Sequence, residues 1–280
     1  MKKTMFALIS AAALAAFTLT ACGSSEPAAT TAAETETEAA SEESSEAEST
    51  ADASESDMDY VKGKGTLVVG ITDFEPMDYK DANGNWIGFD ADMATAFAES
   101  IGVKPEFVEI DWDNKILELD GKTVDCLWNG MTLTDEVKSA MSTSNAYCNN
   151  AQVVIVKSDV ADKYQDEESL KDLTFAVEAG SAGEAQAEAL GLEYTPVKAQ
   201  SDALMEVAAG TSDAAIIDSL MAAAMVGEGT GYADLTYTIG LNSEEYGVGF
   251  RKGSDLTDTL NEFLKTSYDD GSMLECAESY

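Results

Sequence analysis

Short apolar runs rich in β-branched residues alternate with short amphipathic segments through most of the chain beyond residue 60. Thr66–Thr72 is such a run. The segment after it places Met93, Ala94 and Phe97 on one helical face, and Glu106–Ile110 is the next run. Runs that are apolar throughout are typical of strands buried on both faces, as in parallel sheets covered by helices. The alternation therefore predicts an α/β fold.

The second half of the chain repeats this plan. Residues 116–129 and 204–218 each contain a short helical segment, a glycine, a small polar turn, an aspartate and an apolar strand. This similarity predicts two α/β lobes of similar build. Ligands of such sheets bind at the carboxyl ends of the strands, and two lobes that present these ends to each other form a cleft. The candidate ligand-binding segments are therefore 72–76, 128–132, 180–183 and Asp218.

Residue types with known positional preferences mark the ends of the predicted helices. Asp90 and Ser201 each precede an amphipathic segment, and both are residue types that accept hydrogen bonds from a first helical turn. We therefore predict that they are N-caps. Glycine favours the left-handed conformation that often follows a helix. The glycines predicted to end helices are Gly102, Gly121, Gly191 and Gly210.

The charge balance excludes several functions. The chain has 53 acidic and 16 basic side chains, a formal net charge of −37 and no histidine. Nucleic-acid binding needs basic side chains that displace phosphate counterions, so this balance argues against it. The lack of histidine excludes Ser-His-Asp catalysis, Cys-His catalysis and histidine metal sites. Asp73, Glu75 and Asp78 lack the spacing of a calcium loop, so we predict neither a metal nor a cofactor.

The first sixty residues are predicted to lie outside the fold. Residues 1–21 have a basic start and a short apolar stretch, which is typical of a secretion signal. Leu19-Thr-Ala-Cys22 resembles the bacterial lipobox, which predicts that Cys22 is lipidated and anchors the chain to a membrane. Residues 22–60 are rich in Glu, Ala, Ser and Thr, and Ser24–Asp59 has no Lys or Arg. This composition predicts a disordered acidic tether.

Several short motifs occur in an order that resembles one protein family. Gly84–Met93 resembles the pattern G-x-x-x-G-F-D-x-D-L, and Gly121–Asp125 with Asn129–Thr134 resembles G-K-x-D followed by G-M-T-I-T. Together with Gly180–Glu184, Gly210–Asp213, Asp218 and Asp270–Met273, these motifs cover residues 61–280. The ordered set is similar to the solute-binding proteins of polar amino acid ABC transporters, the family 3 extracellular solute-binding proteins.

The resemblance implies a type II periplasmic-binding-protein fold, in which two lobes joined by two crossover strands close over a ligand. By analogy, lobe 1 comprises 61–149 and 249–280, and lobe 2 comprises 150–248. Ala151–Val156 and Tyr246–Phe250 are the expected crossover strands. The resemblance also implies a non-enzymatic monomer on the extracellular or periplasmic side of the membrane. It would capture an amino acid or a close derivative and deliver it to an ABC transporter permease.

The family's ligand-contacting positions can be carried over to this sequence. Phe74 and Trp112 occupy positions that stack on the ligand side chain. Thr132 occupies a position that contacts the ligand carboxylate, and Asp218 matches the carboxylate that holds the α-ammonium. Ser181 and Ala182 lie at a helix start, where free N–H groups favour an anion. The expected ligand-binding residues are Phe74, Trp112, Trp128, Asn129, Gly130, Thr132, Ser181, Ala182 and Asp218.

Simpler roles compete at four of these positions. Asp218 precedes a helical segment and could only cap it, Phe74 could be loop packing, and Trp112 and Trp128 are large and could belong to the core. Trp128 directly precedes the binding-loop motif, which favours the wall of the pocket.

One position departs from the family pattern. Val137 stands where the family usually has an arginine that clamps the ligand carboxylate as a bidentate pair, and the sequence's only arginine is Arg251, near a predicted crossover strand. Two alternatives follow. Backbone N–H groups, Thr132, Ser181 and a lysine hold the carboxylate, or the ligand is a cationic or neutral amine without one. Such an amine would be held by Asp218 and by cation–π contact with the aromatic side chains.

Other functions on the same fold are also considered. A dehydratase would need cations for an anionic substrate, and a cell-wall lytic enzyme would need a further domain. A surface sensor that uses the same cleft is a third alternative. Cys126, Cys148 and Cys276 cannot all pair with one another and no spacing selects a partner, so we predict no disulfide.

Overall fold

The computed structural model describes residues 56–280 of the 280-residue chain. The predicted signal peptide, Cys22 and nearly all of the predicted tether lie outside the described residues. Within 56–280, no helix is both long enough and apolar enough to cross a membrane.

Strands and helices alternate through the described residues, as the apolar pattern predicts. The strands are β1 (Thr66–Ile71), β2 (Tyr79–Lys80), β3 (Trp86–Ile87), β4 (Lys104–Glu109), β5 (Cys126–Thr132), β6 (Ser142–Thr143), β7 (Cys148–Asn150), β8 (Gln152–Lys157), β9 (Thr174–Glu178), β10 (Glu193–Val197), β11 (Ala214–Asp218), β12 (Leu235–Gly240) and β13 (Glu244–Phe250). The helices are α1 (Asp57–Lys64), α2 (Phe89–Ser100), α3 (Lys115–Asp120), α4 (Asp135–Ala140), α5 (Ala182–Leu190), α6 (Gln200–Ala209), α7 (Ser219–Met225), α8 (Leu256–Asp270) and α9 (Ser272–Ala277). Short 3-10 turns lie at Trp112–Asn114, Ala161–Lys163 and Glu167–Leu170.

The first large sheet has the strand order β4-β1-β5-β13-β6, with β7 also pairing with β13. Strand β1 runs parallel to both β4 and β5, whereas β13 runs antiparallel to β5. Helix α2 packs on these parallel strands and buries Met93, Ala94 and Phe97, which are the residues predicted for its inner face. The carboxyl ends of the parallel strands therefore lie at one edge of the sheet, and the last residues of β1 and β5 are found there.

The second sheet has a similar plan, with the order β10-β9-β11-β8-β12. Strand β9 runs parallel to β10 and β11, and β8 runs antiparallel to β11 and β12. Helices α5 and α6 pack on β9 and β11. Two α/β lobes of similar build are therefore confirmed.

The chain passes between the two sheets twice, once from β7 to β8 and once from β12 to β13. The two passages lie side by side, because the Gln152 amide donates to the Asn242 side chain over 2.7 Å and the Leu241 amide donates to the Gln152 carbonyl over 2.8 Å. This is the double connection that a hinge between two lobes needs. The sheets also correct the predicted boundary at 248, since β13 begins at Glu244 and pairs with β5 of the first lobe.

Helix α1 corrects the start of the folded region. It includes residues 57–60, which the composition assigned to the tether. The Arg251 guanidinium donates from Nε and Nη2 to Asp57 Oδ1 over 2.9 and 2.8 Å, and Val61 is fully buried. These contacts join positions almost two hundred residues apart, so the local acidic composition could not reveal them.

Two predicted N-caps were wrong. Helix α2 is preceded by Gly88, and Asp90 lies inside its first turn with a fully buried side chain. The Asp90 carboxylate instead accepts from the Gly130 amide over 2.6 Å and from the Tyr147 hydroxyl over 2.8 Å. Helix α6 is preceded by Ala199, which leaves Ser201 inside the helix. Gly121, Gly191 and Gly210 follow helices as predicted.

Candidate functional site

The two lobes touch where the loop after β9 meets the turn before α3. Gly180 has a φ of 72°, and a Cβ atom at this position would lie 2.6 Å from Asp113 Cα of the first lobe. The Lys115 ammonium donates to the Gly180 carbonyl over 2.7 Å. Lys198 of the second lobe lies 3.5 Å from Glu109 and 3.7 Å from Asp111 of the first. These contacts across the cleft define a closed arrangement of the lobes.

A cavity of about 300 Å³ lies between the lobes, and we call it the cleft cavity. The first lobe contributes side chains from the end of β5, the start of α4 and the turn before α3, and the second lobe contributes the loop after β9 and the start of α5. Its lining residues are Trp112, Lys115, Met131, Thr132, Thr134, Asp135, Glu136, Val137, Gly180, Ser181, Ala182 and Ala185. A second cavity of about 500 Å³ lies on the hinge side and shares Thr132, Thr134, Ala182 and Ala185 with it.

A network of buried polar side chains surrounds Asp218, the last residue of β11. Its carboxylate accepts from Gln152 Nε2 over 3.1 Å and from the Tyr246 hydroxyl over 2.5 Å, and also from the amide groups of Asn150 and Gln200. Although Asp218 precedes α7, its side chain makes no capping hydrogen bond. The simple capping role is therefore wrong for Asp218. We call Asn150, Gln152, Gln200, Asp218, Glu244 and Tyr246 the hinge cluster.

A second carboxylate shares the same amide donors. Glu244 Oε1 accepts from Asn150 Nδ2 over 2.7 Å and from Gln152 Nε2 over 2.8 Å. It also accepts from the Thr132 hydroxyl over 3.0 Å. Asp218 and Glu244 accept hydrogen bonds from the same neutral amides, and neither has a cationic partner within the cluster. A bound cation would therefore stabilise both carboxylates.

The burial of these acids changes their proton affinity. Burial, followed by repulsion from Glu244, raises the pKa of Asp218 to about 7. Burial, followed by repulsion from Asp218, raises the pKa of Glu178 to about 8. Glu178 ends β9, is 3% exposed, and its Oε1 atom has no hydrogen-bond partner in the described part of the chain. The end of the second sheet therefore holds carboxyl groups that a bound cation would stabilise in their charged form.

The structure places two of the expected aromatic residues in the core of the first lobe. Phe74 is 1% exposed and lies edge-on to Tyr246, with ring centroids 6.4 Å apart. Trp128 is fully buried and packs with Phe97 and Tyr147, each at 6.3 Å between centroids. The pocket-wall position predicted for Trp128 is corrected, because its side chain faces the helix-covered side of β5. Phe74 supports the backbone of Gly130, since a Cβ there would lie 2.4 Å from its ring.

Asn129 and Gly130 shape the end of β5. The Asn129 side chain accepts from the backbone amide of Thr72 and donates to the Thr72 hydroxyl, each over 2.9 Å. These two hydrogen bonds join β5 to the end of β1. Gly130 has a φ of 55°, and its amide is held by Asp90. Their observed contacts fix the loop that carries Thr132.

The remaining expected residues lie at the cleft cavity. Trp112 and Thr132 line it from the first lobe, and Ser181 and Ala182 line it from the second. Ser181 is the N-cap of α5, because its hydroxyl accepts from the Glu184 amide over 3.2 Å.

Sequence reasoning missed Lys115, Glu178 and most of the hinge cluster. Glu178 is a polar residue at the end of a predicted strand, so the rule that selected Asp218 could have selected it as well. The other cluster members gave no such signal, because Asn150, Gln152 and Glu244 meet only when the two passages between the lobes come together.

A model of the bacterial extracellular solute-binding proteins, family 3, matches residues 67–280. The arginine-binding extracellular protein ArtP of Bacillus subtilis is 31% identical over 280 residues, which cover 98% of this chain and 95% of that protein.

Solved structures show the same fold. The ancestral amino acid-binding protein AncCDT-1, a precursor of cyclohexadienyl dehydratase, superposes with a TM-score of 0.74 at 33% identity, over 80% of this chain and 99% of its own. A substrate-binding protein of an ABC uptake transporter from Streptococcus pneumoniae with bound histidine gives a TM-score of 0.73 at 30% identity, over 79% and 95% of the two chains. The type II periplasmic-binding-protein fold is therefore confirmed.

Proposed function

The chain belongs to the bacterial extracellular solute-binding proteins, family 3, and on that premise we propose that it captures an amino acid outside the cytoplasm and delivers it to an ABC transporter permease. The observation that carries this proposal is the position of Asp218. It lies buried where the two lobes join, and it is bonded to side chains from both sheets. A ligand that binds there contacts both lobes, and such contacts shift a hinged protein towards its closed form.

The chemistry of the hinge cluster fits an α-ammonium group. The neutral amides and the tyrosine hydroxyl that now bond to Asp218 can be exchanged for a charged donor, and charge-assisted hydrogen bonds are about twice as strong as neutral ones. The names of the relatives agree with this choice, since they describe arginine binding in one case and bound histidine in another. In the proposed site, Thr132, Ser181 and Ala182 face the rest of the ligand, while Asn129 and Gly130 hold the loop that presents Thr132.

The aromatic residues have different parts in this proposal. Trp112 lines the cleft cavity and stacks on the ligand side chain. Phe74 and Trp128 act from the core, where they hold the end of β5 in place.

In this proposal each lobe is built around one of the two large sheets. The first lobe comprises residues 56–150 and 244–280, and the second comprises 151–243. The hinge passes through the connections on either side of Gln152 and Glu244. The protein works as a monomer, because each chain contributes both faces of its own cleft.

The attachment to the membrane is a separate part of the proposal. The lipobox-like Leu19–Cys22 sequence favours removal of residues 1–21 and lipidation of Cys22. Residues 23–55 then serve as an acidic tether that holds the binding unit near the permease.

We further propose that the protein captures its ligand without catalysis. The relatives described above are named as binding proteins, although one is a precursor of a dehydratase. A dehydratase acting on an anionic substrate needs cations around it. The hinge cluster supplies carboxylates instead.

A second candidate ligand is an amine without a carboxylate, which Val137 and the carboxylates near Asp218 favour. Thermal unfolding of the purified protein with millimolar amino acids and their decarboxylated amines tests both candidates. The proposal predicts that one or a few amino acids raise the unfolding temperature, because a ligand of the native state stabilises it. If only amines raise the unfolding temperature, the ligand is an amine and not an amino acid. If the unfolding temperature stays the same with every compound, ligand capture is contradicted.

A further inference from the structure

Val137 and Lys115 line the same cavity between the lobes. Val137 is 4% exposed and brings only an aliphatic surface to a position that the family resemblance assigns to a carboxylate-binding cation. Lys115 begins α3 in the first lobe, and its ammonium reaches across to the loop after β9 in the second. It is the one basic side chain among the residues that line the two cavities shared by the lobes. Arg251 is committed elsewhere, at the contact between α1 and the first sheet.

The ammonium of Lys115 lies near the Glu136 and Glu178 carboxylates without forming an ion pair with either. It donates to the Gly180 carbonyl over 2.7 Å and more weakly to the Trp112 carbonyl over 3.4 Å, and in residues 56–280 it forms no ion pair with a carboxylate. It also lies 5.3 Å from the centre of the Trp112 ring. An ammonium has three donors, so at least one is left for another acceptor. Lys115 is half-buried, and desolvation lowers the pKa of its ammonium, so a directly paired anion would stabilise its charge.

We propose that Lys115 is the cation that binds the ligand carboxylate, in place of an arginine at position 137. This inference rests on the proposed function and extends it from the ammonium at Asp218 to the carboxylate on the same carbon of the ligand. The carboxylate enters the cleft cavity and takes the free donor of Lys115. Because Lys115 contacts Gly180 only when the lobes are together, the same ammonium links ligand binding to closure.

Neighbouring groups support an anion at this end of the cavity. Ala182 lines it as the first residue of the nine-residue helix α5, and Thr132 lines it from β5 with a hydroxyl that donates to Glu244 and would have to turn to reach the carboxylate. The N–H groups of a first helical turn have no acceptor within the helix and carry partial positive charge. They add to the effect of Lys115, which supplies the full charge.

The acidic residues around the cavity define what else the ligand needs. Asp135 and Glu136 also line it, and Glu178 and Asp218 lie beyond it at the ends of their strands. The Asp135 and Glu136 carboxylates repel a simple anion, and an ammonium group on the ligand would favour the charged forms of Glu178 and Asp218. The site therefore selects a molecule that carries both a carboxylate and at least one ammonium group, and it rejects monocarboxylic acids.

The test compares the full chain with its Lys115→Gln variant. Lys138→Gln is the matched control, because it removes an exposed positive charge from α4 without touching the cavity. Thermal unfolding of the unmodified chain with each common L-amino acid and L-cystine first selects the amino acid that gives the largest shift. Calorimetric titration then measures the affinity of all three proteins for that amino acid and for its carboxamide, which keeps the ammonium and lacks the carboxylate.

The inference predicts that Lys115→Gln weakens binding of the amino acid at least tenfold and changes binding of the carboxamide less than threefold. Lys138→Gln should change neither affinity by more than twofold. Equal losses for the two compounds in Lys115→Gln would overturn the inference, since they would show a purely structural role. Unchanged binding of the amino acid would overturn it too.

Two further outcomes separate this inference from the proposed function. If no amino acid shifts the unfolding temperature of the unmodified chain, the proposed function fails and the inference fails with it. If Lys115→Gln does not fold, the inference is tested by the affinities of the unmodified chain for the amino acid and for its carboxamide. It must bind the amino acid at least tenfold more tightly than the carboxamide, and equal affinities would overturn the assignment of Lys115.

Discussion

The Tyr246 hydroxyl donates a hydrogen bond of 2.5 Å to the Asp218 carboxylate, although the two residues belong to different lobes. Tyr246 lies in β13 of the first sheet, and Asp218 ends β11 of the second. The bond therefore spans the hinge and links the proposed ammonium site to the movement of the lobes. Any change in the charge of Asp218 is expected to alter both ligand affinity and the balance between open and closed forms.

Replacing Asp218 with alanine should weaken binding of the stabilising amino acid by more than tenfold. Removing one partner of a buried charged pair costs about 2–5 kcal/mol. Asp162→Ala is a suitable control, because Asp162 is an exposed aspartate of the second lobe. Calorimetric titration gives both affinities, and unchanged binding in Asp218→Ala would remove this residue from the site.

Binding of an amino acid should weaken as the pH falls below about 7. The unliganded pKa of Asp218 is raised to about 7, chiefly by burial and then by Glu244, and only the ionised carboxylate pairs with an ammonium. Below this pKa a proton must be released before the ligand binds, so affinity should fall by up to about tenfold per pH unit. Titrations at several pH values below 8 measure this slope. A flat profile would contradict a role for Asp218 as the charged partner.

Much of the fold could be predicted from local sequence. The apolar runs predicted β1, β9 and β11, and glycine placement predicted the ends of α3, α5 and α6. Such features depend on residues close together in the chain, where the period of burial and backbone preference act directly.

The parts that escaped prediction depend on contacts between distant residues. Aspartate is a residue type that often caps helices, but the Asp90 carboxylate accepts hydrogen bonds from Gly130 and Tyr147, which are forty or more residues away. Asp218 was selected because strand ends are visible in a sequence. The hinge cluster around it was not, because its members come from both passages between the lobes.

Replacing Arg251 with leucine should destabilise the first lobe. Arg251 is 9% exposed, and its guanidinium bonds to Asp57 over 2.8 and 2.9 Å, with Asp125 also within 3.5 Å. Asp125 keeps Lys64 as a partner, but Asp57 loses its only ion-pair partner in the described residues, and leaving a buried carboxylate without its cation costs about 3–5 kcal/mol. Thermal unfolding should therefore shift downwards by several degrees or more, while the exposed Lys62→Leu control shifts little. Equal shifts in both variants would contradict this account of how α1 is held.

Replacing Lys198 with glutamine should have a small effect that depends on salt. Its ammonium lies 3.5 Å from Glu109 and 3.7 Å from Asp111 across the cleft, and all three side chains are exposed. Exposed ion pairs contribute about 0.2–1 kcal/mol and are screened by salt. Ligand affinity should fall by less than about fivefold at low salt, and the difference should vanish at high salt. A larger loss that persists at high salt would show that Lys198 acts in some other way.

A crystal structure of the protein with its stabilising amino acid tests the central claim most directly. The account predicts one amino acid enclosed between the lobes, with its ammonium at Asp218 and its carboxylate at Lys115. An amino acid bound outside the cleft, or one bound with its ammonium away from Asp218, would contradict it.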